Sequence, residues 1–300
     1  MSNLGVFVNR QTLSNAEQLS ALLKCRDAAE DMGHSVDFIF PEEIKRLLKT
    51  DGLFIRTNTD PMNVAFVASK MASLHNIPVV DDPASIQICA DKVNMYYHLL
   101  KNNVKIPKTA FLKKKDITID HAKAMFDSWG TPLILKEPST CFSARVEKAR
   151  DPGDFMKTAN RFMKMSDWIV VQKFVSSKYD WRIGVLGGEL LYACKYMIPP
   201  ETFKIQAEVN GHLVYCTTES VPMDKIPPAV LEAGLKAARA IGNGLYGVDI
   251  KECEDGAYVI EVNDNPSLES GEDGCYPKIY SRIIEFLLEK GAPGIKDANN

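Results

Sequence analysis

The chain has 300 residues, 45% hydrophobic and 25% charged, with a formal net charge of −3; at that length two or three modules are expected rather than one core. The weak negative balance excludes a strongly basic binder of nucleic acid or anionic membrane, and no run approaches the roughly 20 apolar residues of a bilayer span. The opening MSNLGVFVNR lacks a signal-peptide pattern, and seven scattered cysteines without a CxxC pair suit a reduced, cytoplasmic protein.

Residues 1–84 alternate short apolar runs with helical periods. Strands are expected at Leu4–Val8, Val36–Phe40, Leu53–Ile55 and Pro78–Val80, with helices at Ala16–Met32 and Val64–His75. That alternation implies parallel βαβ units. No GxGxxG follows the first strand, so a dinucleotide fingerprint is missing.

Asp82-Pro83 starts a helix whose apolar stripe runs over Ile86–Leu100, and Lys113–Asp116 reads as a charged, solvated loop. Strands are expected at Leu133–Lys136 and Phe142–Lys148, and a helix at Asp154–Met165. Trp168–Gln172 is a further strand, and Arg182–Leu186 and Glu189–Lys195 flank a Gly187-Gly188 turn. Pro227–Ile241 reads as a helix, Gly247–Glu252 and Ala257–Asn263 as a second hairpin, and Tyr276–Lys290 as the closing helix. Gly291–Asn300 is expected to be a disordered tail. Domains are accordingly expected at 1–84, 85–166 and 167–290, followed by the tail 291–300.

The most informative stretch is GVDIKECEDGAYVIEVNDNPS, Gly247 to Ser267. With period two, Glu261 and Asn263 share one face of their strand, and Asp249 projects from the partner strand. A three-residue loop Glu254-Asp255-Gly256, with Gly256 at positive φ, sets Asp249 opposite Glu261. A two-residue turn would shift the register by one and part the carboxylates. The first register also keeps the aliphatic residues on one face, so it is the one expected. Asp249, Glu261 and Asn263 then form an all-oxygen cluster of the kind Mg²⁺ prefers, with Glu261 placed to bridge two ions. The alternative is a solvated hairpin face.

Lys136 ends the strand LILK, and Lys92 lies at the helix start ADKVN. Each is a nucleotide-binding candidate or else a solvated flank. Trp168–Val175 (WIVVQKFV) runs from apolar strand into polar link, as an adenine hinge does, although an ordinary core strand reads the same way. A regular two-residue turn at Gly187-Gly188 pairs Asp180 directly with Lys195, with Arg182 on the same face. This is either a cross-strand ion pair or a ribose and phosphate contact. Arg56, at a strand end, reads as an anion-holding residue or an exposed flank.

The ordered set DK, LILK, QKF, YDWR, CKY, GVDIK and VIEVNDNPS resembles the ATP-grasp superfamily, and within it the RimK-type α-L-glutamate ligases. The similarity runs from about Leu53 to Lys290 through LFIRTNT, VVDDPASIQICADKV, FDSWG and GLYGVDIKE. The resemblance implies an α/β architecture: an N-terminal pre-ATP-grasp βαβ domain followed by a two-lobed ATP clamp with α+β lobes. It implies ATP and Mg²⁺, two ions being expected and Mn²⁺ a substitute.

Carried onto this chain, the metal ligands are Asp249, Glu261 and Asn263. The nucleotide contacts are Lys92, Lys136, Ser139, Ser143, Gln172, Lys173, Phe174, Val175 and Asp180. Lys195, Arg182 and Lys204 take the catalytic role, and Arg56, Asn265 and Ser267 the substrate role. The family reaction phosphorylates a carboxylate from ATP, and an amine then displaces phosphate to give an amide. The partners implied are an amino acid such as glutamate or a peptide, an amine acceptor, and a second copy of the chain, with no nucleic acid or membrane. A small-molecule kinase and a non-catalytic binding module are the competing readings.

Three departures stand out. The phosphate-covering loop Glu137–Ala144 contains no glycine, which hinders close backbone approach to a phosphate. Lys195 and Lys204 stand where many relatives carry arginines, replacing a bidentate fork with a point charge. Asn3–Phe40 matches the family poorly.

Overall fold

The structure, a computed structural model, describes residues 1–140, 144–199, 202–203, 206–209 and 212–289. Three principal sheets follow one another along the chain. The first is parallel, its strands ordered Ser35–Ile39, Asn3–Phe7, Gly52–Ile55, Val79–Val80. The second is antiparallel, in the order Thr109–Leu112, Ile169–Lys173, Leu133–Lys136, Val146–Ala149. The third has five antiparallel strands, ordered Thr217–Ser220, Glu189–Met197, Tyr179–Leu186, Leu245–Cys253, Gly256–Asn263. A short ribbon of Gln206–Val209 and His212–Tyr215 stands apart from them.

Side-chain caps fix most helix starts by satisfying N–H groups left open in the first turn. Asn15 caps Ala16–Asp31, Asn63 caps Val64–Leu74, Thr118 caps Ile119–Trp129 and Asp151 caps Pro152–Phe162. The expected single helix over Ile86–Leu100 is instead two helices, Pro83–Cys89 and Lys92–Lys101. Asp91 interrupts the stripe because its carboxylate accepts from the Asn94 N–H and starts a new helix. The break sets Lys92 in the first turn of that helix.

Other boundaries also differ. The strand expected from Phe142 begins at Val146, Lys114–Asp116 forms a 3₁₀ turn, and the closing helix starts at Ile279. The expected tail lies outside the described residues.

The helix Lys92–Lys101, expected with the second module, buries Met95, Tyr96 and Leu99 in the core of the five-stranded sheet, against the helix Pro228–Ile241. The C-terminal helix returns to the N-terminal sheet: Ile283 and Leu287 share a core with Leu4, Val6, Leu22 and Cys25. No helix among the described residues is long and apolar enough to cross a membrane.

Candidate active site

The hairpin of Leu245–Cys253 and Gly256–Asn263 carries the oxygen donors. Asp249 pairs with Glu261 across it, but not through the three-residue loop expected from the sequence. Cys253 pairs with Gly256, leaving Glu254 and Asp255 as a two-residue turn, with Gly256 at φ +126°. An extra residue in the second strand, Ile260, then restores the Asp249–Glu261 pairing. This is a bulge, which re-aims side chains at a strand end. The Tyr96 hydroxyl fixes it by donating to the Ile260 carbonyl at 2.6 Å.

Both carboxylates meet cations. Arg182 grips Asp249 with two bonds, Nε to Oδ1 at 2.7 Å and Nη2 to Oδ2 at 3.2 Å, both residues being buried. Lys92 Nζ lies 3.1 Å from Glu261 Oε1. Burial works to raise the Glu261 carboxyl, but Lys92 and Lys136 outweigh it and hold it below its ordinary value. Asn263 Nδ2 donates to Asp249 Oδ2 and to the Gly247 carbonyl, both at 3.2 Å. Its Oδ1 accepts no hydrogen bond from the described residues. Two carboxylates and one amide oxygen thus face one cavity. No group of three or more His, Cys, Asp or Glu suited to a metal occurs among the described residues. The hard-oxygen set fits a Mg²⁺ that completes its shell with water and phosphate.

The cavity measures about 1470 Å³ and is walled by all three sheets' modules. That exceeds a typical single-ligand pocket and suits a nucleotide together with a second molecule. At one end Lys92, Lys136 and Lys251 are buried. Lys136 Nζ donates to the Tyr96 hydroxyl at 2.8 Å, and burial pushes its ammonium down to about 8 although Glu261 pulls it upward. Lys173, Phe174 and Val175 line the same cavity. The side chain of Gln172 is committed to Tyr96 and Thr109, and its backbone lies between the strands of Thr109 and Ile134. Asp180 forms a buried ion pair with Lys251. Lys148 lies over the Phe174 and Phe203 rings at 4.1 and 4.3 Å.

Lys195 does not face Asp180. An extra residue, Leu191, shifts the register of the Gly-Gly hairpin, so Lys195 pairs with Trp181 and Asp180 with Tyr196. Lys195 therefore projects from the opposite face and rests over the rings of Tyr179 and Trp181, at 4.4 and 4.8 Å. The cavity lining includes Arg182 and Asp180 but not Lys195.

Ser139 also points elsewhere, its hydroxyl donating to Asp91 at 3.4 Å. The Thr140 hydroxyl donates to the carbonyls of Glu137 and Ala144, and Arg145 takes a left-handed φ of +50°. Ser143 and Lys204 lie outside the described residues. Arg56 is neither an exposed flank nor free for an anion: it bonds Asn265, Pro266 and Glu269 of the chain itself. Asn265 is committed in the same contact, while Ser267 lines the cavity.

Sequence reasoning passed over Lys251 and Tyr96. Lys251 was detectable, since in GVDIK it lies two residues from Asp249 and shares its face. Tyr96, inside an apolar helical stripe, gave no signal of its bonds to Lys136 and Ile260.

Comparison with known proteins agrees with this arrangement. Residues 89–287 match the model of the RimK-like ATP-grasp domain. A protein of Shewanella loihica named probable alpha-L-glutamate ligase is 25% identical over 298 residues, covering 94% of this chain and 95% of its own. One of the same name from Coxiella burnetii is 25% identical over 301 residues, covering 95% and 96%. These alignments take in most of the N-terminal region, where a poor match was expected. Among solved structures, D-alanine–D-alanine ligase from Bacillus anthracis superposes with a TM-score of 0.72 at 17% identity, covering 97% of each chain. A RimK domain ATP-grasp protein from Sphaerobacter thermophilus gives 0.67 at 17% identity, covering 96% of this chain and 100% of its own. At that identity these two show a shared ATP-grasp fold.

Proposed function

The chain belongs to the RimK-like ATP-grasp family, and on that premise we propose that it is an ATP-dependent carboxylate–amine ligase working with Mg²⁺ through an acyl phosphate. The observation that carries this reading is the juxtaposition, in one cavity, of buried lysines and an oxygen-donor wall. Lys92 bonds Glu261, and Lys136 donates to the Tyr96 hydroxyl beside it. Such a site neutralises polyphosphate charge at one end and holds divalent cations beside it.

In this reading ATP lies with its adenine between Ile260 and the Lys173–Val175 link, and its phosphates toward Lys92 and Lys136. Asp249, Glu261 and Asn263 would hold Mg²⁺, which supplies charge neutralisation for phosphoryl transfer when bound. Arg182 and Lys92 already grip the same carboxylates, so cation binding requires these pairs to loosen. The γ-phosphoryl passes to a substrate carboxylate oxygen, and an amine then attacks the acyl carbon and expels phosphate. Positive groups fixed in a desolvated pocket favour the developing charge without reorganising.

The second-substrate end is formed by Thr57–Thr59, Asp264–Ser267 and Glu272. Glu272 is fully buried and accepts from the Tyr196 hydroxyl and the Ser270 N–H, and it forms no ion pair among the described residues. A carboxylate without a cation favours an incoming ammonium, which supports placing the amine partner here. The names of the relatives suggest glutamate, as a free amino acid or within a peptide, as the carboxylate. The test is phosphate release from Mg·ATP across amino acids and short acidic peptides. Release that requires both a carboxylate and an amine supports the reading, and no release with any pair refutes it.

A further inference from the structure

Arg56 follows the strand Gly52–Ile55 of the N-terminal sheet, yet its guanidinium reaches a loop 209 residues further along the chain. Nη1 donates to Asn265 Oδ1 at 2.6 Å and to the Pro266 carbonyl at 3.0 Å, and Nη2 to Glu269 Oε2 at 3.1 Å. Asn265 returns a bond from Nδ2 to the Thr57 carbonyl at 2.6 Å. The Arg56 and Glu269 side chains are only 11% and 12% exposed. On the near side, Phe54 presents its ring 5.4 Å from the guanidinium carbon, and the Thr12 hydroxyl donates to the Arg56 carbonyl at 3.3 Å.

The contacted loop is held on every side. Tyr192 donates to the Ser267 carbonyl and Tyr280 to the Leu268 carbonyl, both at 3.1 Å. Three consecutive carbonyls, of residues 266–268, are thus fixed by side chains from three separate elements. Arg56 is the one of these three that comes from the N-terminal module, and the one that is charged. The loop begins directly after Asn263, and it contributes Asp264, Asn265, Pro266, Ser267 and Glu269 to the cavity wall.

We propose that Arg56 is a positioning residue: it registers the 264–269 loop against the N-terminal module and so shapes the wall on which the second substrate sits. This rests on the proposed function only in giving that wall to the second substrate. The planar fork is required, because three acceptors lie on its edges, and a lysine ammonium has no such edges.

The experiment compares wild type with Arg56→Lys, Arg56→Ala and Glu269→Gln by amide hydrogen exchange and by steady-state kinetics, using glycinamide as the amine probe at saturating L-glutamate. Both Arg56 variants should raise exchange across 264–269 by at least about 10-fold while the core strands stay protected. They should raise KM for glycinamide at least about 10-fold and KM for ATP less than about threefold, since misplacement at one wall is felt there. Glu269→Gln keeps an acceptor for Arg56 and should lie between wild type and Arg56→Lys, which provides a graded answer even where Arg56→Ala fails to fold. Unchanged exchange in the loop overturns the proposal, as does full rescue by lysine or an equal rise in both KM values. A wild type inactive with every substrate pair sinks the ligase reading instead, and loop exchange still decides the role of Arg56.

Discussion

Asp249 and Glu261 stand opposite each other on one hairpin, yet different cations hold them: Arg182 takes Asp249 through two bonds, and Lys92 reaches Glu261 at 3.1 Å. The pairing lets two carboxylates share a buried wall without mutual repulsion deciding their state. Each cation also competes with any metal for the same oxygens.

Glu261→Gln keeps the shape of that wall but removes one negative charge from the donor set. Turnover is expected to fall at least about 100-fold, the scale seen when electrostatic support for a transition state is removed. The Mg²⁺ dependence of ATP binding should weaken with it. Titrating Mg²⁺ against ATP binding and phosphate release checks both, and near-native turnover would remove Glu261 from the metal assignment.

The register of the Gly-Gly hairpin makes two lysines separable. Lys195→Ala should change turnover and ATP affinity less than about threefold, because an exposed-face cation over aromatic rings contributes little. Lys251→Met should instead lower stability by about 3 kcal/mol by leaving Asp180 buried without its partner. Urea unfolding with and without Asp180→Asn tests this, since the second substitution should recover much of the loss. A large catalytic defect in Lys195→Ala with normal stability would return that lysine to the site.

These two lysines show where the sequence was readable. The parallel N-terminal βαβ pattern, the second hairpin and the motif residues of the cavity follow from periodicity and motif spacing, which report on faces and strand order. Bulges do not announce themselves in that way. Leu191 turned the assignment of Lys195 to the wrong face, whereas Ile260 corrected a turn that had been read one residue too long. Similarly, an uninterrupted apolar stripe over Ile86–Leu100 concealed the cap at Asp91, because hydrophobic spacing is indifferent to a capping carboxylate. Arg56 reads from the sequence as an anion-holding residue or an exposed flank, but the hydrogen-bond partners of its guanidinium lie 209 residues away or more, beyond any local signal.

Lys136 gives the site a pH dependence. Burial brings its ammonium down to about 8, so in the free protein the charge is lost as pH rises through that value. Bound phosphate favours the charged form and raises the pKa again, so ATP binding near pH 8.5 should take up as much as about 0.8 of a proton. ATP affinity should accordingly fall as pH climbs above about 8. Calorimetry in buffers of different ionisation enthalpy measures the uptake, and Lys136→Arg should abolish it, since guanidinium stays charged throughout this range. An uptake that survives the substitution would assign the proton to another group.

In the proposed reaction a carboxylate is activated by phosphorylation before an amine displaces the phosphate. In that sequence the oxygen that attacks the γ-phosphorus stays with the phosphorus when the amide forms. A carboxylate substrate labelled with heavy oxygen, turned over with Mg·ATP and an amine, should therefore deliver one labelled oxygen to each inorganic phosphate, as read by mass spectrometry or by the isotope shift of the phosphorus resonance. Unlabelled phosphate released in step with amide formation would contradict the acyl-phosphate route, and label retained in a stable phosphoester would identify a kinase.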